Sequence, residues 1–197
     1  MSAAAGVIGP NAVLQHAAVI RRHGGEARLA ALMAAAALDR LPTGDAMIPE
    51  AEAAALHRAL RTAPDAEALE REAGTATADY ILAHRIPAAV QRLLKALPAP
   101  LAAPMLSRAI ARNAWTFAGS GSFERRTSWT FALRDNPLVR GETSVMPLCV
   151  WHAAVFERLY RVLVAPDCRC RETACAATGA AECRFEISRG RGAQASR

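Results

Sequence analysis

The chain has 197 residues, 52% of them hydrophobic and 21% charged, with twelve glycines and eleven prolines. That is the composition of a globular protein, and it excludes a disordered or fibrous one. The formal net charge is +6, but the arginines are scattered and no recognition motif accompanies them, so nucleic acid is excluded as a partner.

Taken in chain order, residues 1–10 and the basic tail 189–197 lack apolar periodicity and are expected to be flexible. The opening "MSAAAGVIGP" has no basic segment followed by an apolar one, and the run "LAALMAAAAL" is too short to span a bilayer, so a cytoplasmic location is expected. A helical region is expected over 11–74. Asn11 should cap a helix that stops at Gly24-Gly25, and "EARLAALMAAAALDRL" should form a second one ending before Pro42. Pro49 should start the next helix, with acidic residues in its first turn where the dipole favours them. The stretch "DAEALEREAGTATADYILAHRIP" continues in helix, loosened at Gly74 and ended by Pro87, and two more helical pieces are separated by Pro98 and Pro100.

The character changes near Trp115. "SWTFALRDNP" alternates, with Trp129, Phe131 and Leu133 on one face, before a turn at Asp135-Asn136-Pro137. "MPLCVWHAAVFERLYRVLV" reads as one amphipathic helix of about eighteen residues, started by Pro147 and long enough to cross a sheet. "CRCRETAC" and "ECRFEIS" read as strands of a hairpin turning at Gly179. The expected class is α+β: helices first, then a small antiparallel sheet crossed by a long helix.

Five cysteines, four of them within "CRCRETACAATGAAEC", suggest metal or catalysis before disulfides in a reducing compartment. Zinc takes four ligands from thiolate, imidazole or carboxylate. Cys175 and Cys183 flank the hairpin, Glu172 lies three residues before Cys175, and Cys149 at the start of the long helix completes a three-cysteine, one-glutamate set. The spacing is not that of a C-x-x-C knuckle, so burial of Cys149 and Cys183 as small hydrophobes stays open at this point. Cys168 and Cys170 form a poor bite for one metal; beside Arg169 and Arg171 they are either reactive thiols or solvated loop residues.

The order Cys149, Glu172, Cys175, Gly179, Cys183, closing in "CRFEI", resembles the 4-vinyl reductase domain family, a small-ligand-binding module. The resemblance implies a structural zinc on Cys149, Glu172, Cys175 and Cys183, a ligand-binding domain over 75–188 and a homodimer. Here Ala180 follows Gly179 where the family often has Asp, a departure in the turn and not in the ligands. More narrowly, "TADYILAHRIP", "AIARNAWTFAGSGSF", "NPLVRG" and "CVWHAAVFERLYRVLV" are similar to the bacteriochlorophyll 4-vinyl reductase family of purple bacteria. That implies work on a Mg-tetrapyrrole such as divinyl protochlorophyllide when one vinyl group is reduced. Pathway enzymes would be partners, and the location would be peripheral to the photosynthetic membrane.

Vinyl reduction needs a hydride or electron source. The pair in "GSGS" lacks the third glycine of a dinucleotide fingerprint and reads as a turn. Binding and presentation of the pigment is therefore the preferred reading, with the reductase itself and a ligand-sensing regulatory module as alternatives. A flat macrocycle wants aromatic walls, an axial ligand and a cation for its carboxylate. Trp115, Phe117, Trp129, Phe131, Trp151 and Phe156 are the candidate walls, His152 and His84 the candidate magnesium ligands, and Arg85, Arg112 and Arg140 the candidate cations. For each of these a role in core or surface is the competing reading.

Overall fold

The computed structural model of the protein describes residues 6–190. The elements are β1 (Val7–Ile8), α1 (Asn11–Ala35), β2 (Ile48–Pro49), α2 (Glu50–Arg61), α3 (Ala66–His84), α4 (Ala88–Ala96), α5 (Ala99–Arg112), β3 (Ser122–Arg125), β4 (Thr130–Arg134), α6 (Val150–Leu163), β5 (Cys168–Ala174) and β6 (Cys183–Arg189). β3 to β6 form one antiparallel sheet in the order β3-β4-β6-β5, while β1 and β2 pair separately. The class is the α+β one expected.

Prolines set three of the helix starts. Pro49, Pro87 and Pro98 each sit immediately before a first helical residue. At these positions a missing N–H removes no intrahelical bond. The stop expected at Gly24-Gly25 is instead a kink: Gly25 takes φ 70° and ψ −174°, and the helix resumes to Ala35. Asn11, expected as a cap, is the first helical residue, and its Oδ1 accepts from Gln15 Nε2 at 3.1 Å. The flexible terminus expected over residues 1–10 does not describe residues 6–10, because apolar Ile8 is fully buried and β1 pairs with β2. Residues 1–5, and the basic tail from 191 onward, lie outside the described residues.

Helix α6 is the centre of the molecule. It begins at Val150 rather than Pro147, and its apolar residues from Trp151 to Leu163 are buried or half-buried while Glu157, Arg158 and Arg161 form a polar edge. So wide an apolar surface needs partners on two sides. One side meets the sheet, where Phe156 stands 5.1 Å from Phe131 and 5.3 Å from Phe185 between ring centroids. The other side meets α3 at Gly74, which does not loosen that helix. A Cβ there would lie 2.5 Å from the Trp151 carbonyl oxygen and 2.7 Å from Ala154 Cβ. Glycine is thus the residue that lets the two helices touch. Trp151 Nε1–H donates to Thr77 Oγ1 at 3.1 Å across the same contact.

On the sheet, Phe131 pairs with Phe185 and Leu133 with Cys183, placing all four on the buried face. Cys168 and Cys170 are neither in a loop nor solvated. They share the buried face of β5, while Arg169 and Arg171 point away, as strand alternation requires. Burial pushes both thiols above their ordinary range.

Candidate metal centre and ligand cavity

Along an unbroken strand Glu172 and Cys175 would face opposite sides. Glu172 pairs with Phe185 but Ala174 with Arg184, so two steps along β5 stand against one along β6. This bulge turns both side chains to one side. Beyond it a single 3-10 turn, Ala176–Thr178, ends at Gly179 with φ 91°, a left-handed conformation suited to glycine, and the chain returns to Cys183. Cys149 arrives from the N-terminus of α6.

One donor atom from each of Cys149, Glu172, Cys175 and Cys183 lies within 4.8 Å of all the others. The Cys149 and Cys183 sulfurs are 3.4 Å apart, against about 3.8 Å for two thiolates on one tetrahedral zinc at about 2.3 Å each. Backbone N–H groups of Leu148 and Ala176 approach the Cys175 and Cys183 sulfurs at 3.4 and 3.5 Å, and Asn136 Nδ2 donates to Cys149 Sγ at 3.2 Å. Such outer contacts fix ligand orientation. Glu172 Oε2 accepts from the Cys149 N–H at 2.7 Å, whereas its Oε1 is buried with no partner. A buried oxygen left unpaired is costly, and a cation at the centre of the four would satisfy it.

Electrostatics agree with the geometry. Hydrogen bonds from the Cys149 and Cys183 thiols hold Cys175 far below the ordinary thiol range. Burial pushes Cys149 up, and burial followed by the Cys175 charge pushes Glu172 up to about 8. The Cys149 thiol draws Cys183 down, but Cys175 and burial outweigh it and leave Cys183 at about 12. A divalent ion at the centre of the four would favour the ionised form of each of them. The four residues can hold a metal ion.

A cavity of about 320 Å³ lies between α1, α3, α5 and α6, walled by Ile81, Leu106, Ile110, Val155, Phe156 and Leu159. That is near the low end of small-molecule sites, about 300–1,000 Å³. Trp115 and Arg85 both line the cavity and are solvent-exposed, which puts them at its opening. Of the residues expected to meet a ligand, the fold brings Trp115, Phe117, Trp151, His152, Phe156 and Arg85 to this cavity.

The others lie elsewhere. Trp129 packs on Tyr160 at 5.6 Å, and Phe131 is core between Phe123 and Phe156. His84 is exposed and packs tilted against Tyr80, with ring centroids 4.6 Å apart. Arg112 is exposed at the end of α5, and Arg140 pairs with Glu50 at 3.2 Å. His152, an expected magnesium ligand, points Nε2 at the Phe117 carbonyl, 3.5 Å away, and burial lowers it to about 3. The "GSGS" turn is already filled by a carboxylate of the chain. Ser120 donates to Glu50 through its N–H at 2.6 Å and its Oγ at 2.7 Å, and Gly119 (φ 58°) leaves room for that carboxylate.

Two features were missed at the sequence level. Asn136 looks like a turn residue, and only the fold takes its side chain to the thiols. The second is a buried cluster behind Trp151, formed by His16 of α1, His57 of α2 and Glu70 of α3. Glu70 lies 3.2 Å from His16 Nε2 and 3.0 Å from His57 Nδ1, and His57 Nε2 donates to the Ala12 carbonyl at 3.1 Å. Burial pulls His57 down to about 4; burial would raise Glu70, but the two imidazoles hold it well below the usual carboxylate range. The available signal was polar residues at core-facing positions of otherwise apolar helix faces. Among the described residues, no helix is long and apolar enough to cross a membrane.

The V-4R domain family matches residues 129–189, which hold the sheet from Trp129 onward, α6 and the whole metal centre. The bacteriochlorophyll synthase 23 kDa chain of Cereibacter sphaeroides is 50% identical over 184 residues, covering 91% of this chain and 89% of that one. Its counterpart from Rhodobacter capsulatus is 43% identical over 184 residues, covering 91% and 86%. In three dimensions the chain is similar to an Fe(II) unliganded H-NOX protein mutant from K. algicida. That superposition has a TM-score of 0.62 at 12% identity and covers 94% of this chain and 98% of the other, a likeness of fold.

Proposed function

The chain belongs to the family of the bacteriochlorophyll synthase 23 kDa chain, and from that membership we propose that it serves bacteriochlorophyll biosynthesis by binding and presenting a Mg-tetrapyrrole. The pigment would be of the divinyl protochlorophyllide type, held while one vinyl group is reduced. The observation that carries this reading is the apolar cavity, which gathers Trp115, Phe117, Trp151 and Phe156 and has Arg85 at its opening. Aromatic walls suit a flat macrocycle, and a guanidinium at the rim suits its carboxylate.

Presentation is favoured over reduction because the turn through Gly119 and Gly121 cradles Glu50. A phosphate-bearing hydride carrier would meet a carboxylate there. The four-residue centre takes zinc on this reading, since three thiolates and a carboxylate in a closed set suit a structural zinc site. Its place between α6 and the hairpin makes it a clasp beneath the cavity's α6 wall. Partners are the pigment, the enzyme that reduces it and a second copy of the chain.

The test is a titration of purified protein into divinyl protochlorophyllide, followed by absorbance and fluorescence. A saturable shift at one pigment per chain, without consumption of added reduced nicotinamide, is expected. No shift overturns the reading, and nicotinamide consumption transfers the reduction to this chain.

A further inference from the structure

From Tyr80 to Phe123 the chain contains no aspartate or glutamate. The same stretch holds Arg85, Arg92, Lys95, Arg108 and Arg112, all exposed, and none has an ion-pair partner among the described residues. Arginines elsewhere are largely paired, as Arg28 is with Asp65, Arg61 with Glu142 and Arg158 with Asp79. This one segment therefore presents a concentrated and unneutralised positive charge.

Apolar side chains stand among those cations. Val90 and Leu93 of α4 are 41% and 50% exposed, and Leu101 and Met105 of α5 are 57% and 41% exposed. In α5, Leu101, Met105, Arg108 and Arg112 recur at helical spacing, so they form a single stripe along the outer face. The opposite face buries Ala102, Ala103, Leu106 and Ile110, and Leu106 and Ile110 wall the cavity. Trp115, 60% exposed at the cavity opening, follows directly after this helix.

We propose that the outer face of the α4–α5 pair docks this protein on the surface of an anionic phospholipid bilayer, with the cavity opening turned toward the lipid. Apolar side chains flanked by unpaired cations match a layer of acyl chains beneath anionic headgroups. An indole at such a boundary has its usual interfacial placement. A second copy fits the face poorly, because an isologous pairing would set cation against cation. The inference goes beyond the pigment reading and does not depend on it. It would give a lipophilic ligand a path between membrane and cavity without passage through water.

The experiment uses the full chain with vesicles that contain no pigment. Wild-type protein should co-float with mixed phosphatidylglycerol–phosphatidylcholine vesicles and not with pure phosphatidylcholine, and added salt should release it. The triple variant Arg92→Glu, Lys95→Glu, Arg108→Glu should lose affinity by about fivefold or more per cation. The double variant Leu93→Ser, Leu101→Ser should lose binding while keeping the wild-type circular dichroism spectrum and metal content. None of these positions lines the cavity or the metal centre.

Wild-type protein that ignores anionic vesicles, or a triple variant that binds as well as wild type, overturns the proposal. So does a wild-type dimer that ignores vesicles and is dissolved by Leu93→Ser, Leu101→Ser, which would assign the face to a second copy. Failure in any of these ways leaves the pigment titration to stand or fall by itself.

Discussion

The Glu172 carboxylate accepts from the backbone N–H of Cys149 at 2.7 Å while its second oxygen stays buried and unpartnered. One side chain thus joins the N-terminus of α6 to the bulge of β5 and still has a lone pair to give. The helix end favours a carboxylate at that position, and the free oxygen is what makes it useful to a metal.

Elemental analysis should find about one zinc per chain. Cys175→Ser and Cys183→Ser should remove it, since each takes a thiolate from the set of four. Cys168→Ser should keep it, because that thiol lies under the sheet and outside the set. A structural zinc contributes on the order of 10 kcal/mol to folding, so chelation should unfold the C-terminal half; full zinc in Cys183→Ser would sink the assignment.

Gly74→Ala should destabilise the protein although alanine is the better helix former. The propensity gain is about 1 kcal/mol, but the new methyl would lie 2.5 Å from the Trp151 carbonyl oxygen. Overpacking costs about 1–3 kcal/mol, and a backbone carbonyl in a buried helix has little room to yield. A thermal melt that rises instead of falling would show that α3 and α6 can separate at no cost.

Stability should fall as pH drops below neutral. His57 and His152 lie at about 4 and about 3 in the folded protein because burial opposes their charged forms, against about 6.5 when unfolded. The unfolded chain therefore takes protons first, so the histidines' contribution is complete above about pH 6.5 and declines as pH falls toward 4. Each histidine contributes a slope of up to about 1.4 kcal/mol per pH unit. Glu70, held below its ordinary range, adds to the loss at the acid end as it protonates. Urea unfolding at a series of pH values measures the slope, and His152→Phe, set among Phe117, Phe156 and Phe185, should flatten it by about one proton.

Filling the cavity should separate the pigment from the metal. Ala109 lines the cavity from an exposed position on α5, so Ala109→Phe intrudes without repacking the core. Pigment affinity should drop about tenfold or more with zinc content unchanged; an unchanged affinity would place the ligand elsewhere.

Much of this was legible from residue order. Pro49 located a helix start, Pro87 and Pro98 marked breaks between helices, alternation through Phe131 and Leu133 found β4, and Gly179 marked the hairpin. The four donors could be named as a set because their types and order resemble those of the 4-vinyl reductase domain family, whereas their spacing alone left burial as an alternative. That Trp129 and Phe131 lie away from the cavity was not legible, because an aromatic that fills a core and one that lines a cavity leave the same mark in sequence. Gly74 was misread for a related reason: a glycine that loosens one helix and a glycine that admits a second are identical until the second helix is in place.

By itself, then, the sequence determined the α+β class, the order of the elements and the residue types able to hold a metal, all of which rest on signals a few residues long. Tertiary structure alone decided that a bulge turns Glu172 and Cys175 the same way, that Asn136 reaches the thiols, and that His16, His57 and Glu70 meet behind Trp151. It also decided which aromatics border a cavity. These outcomes depend on strand register and on helix contacts between residues far apart in the chain, and no local pattern encodes a distance of that kind.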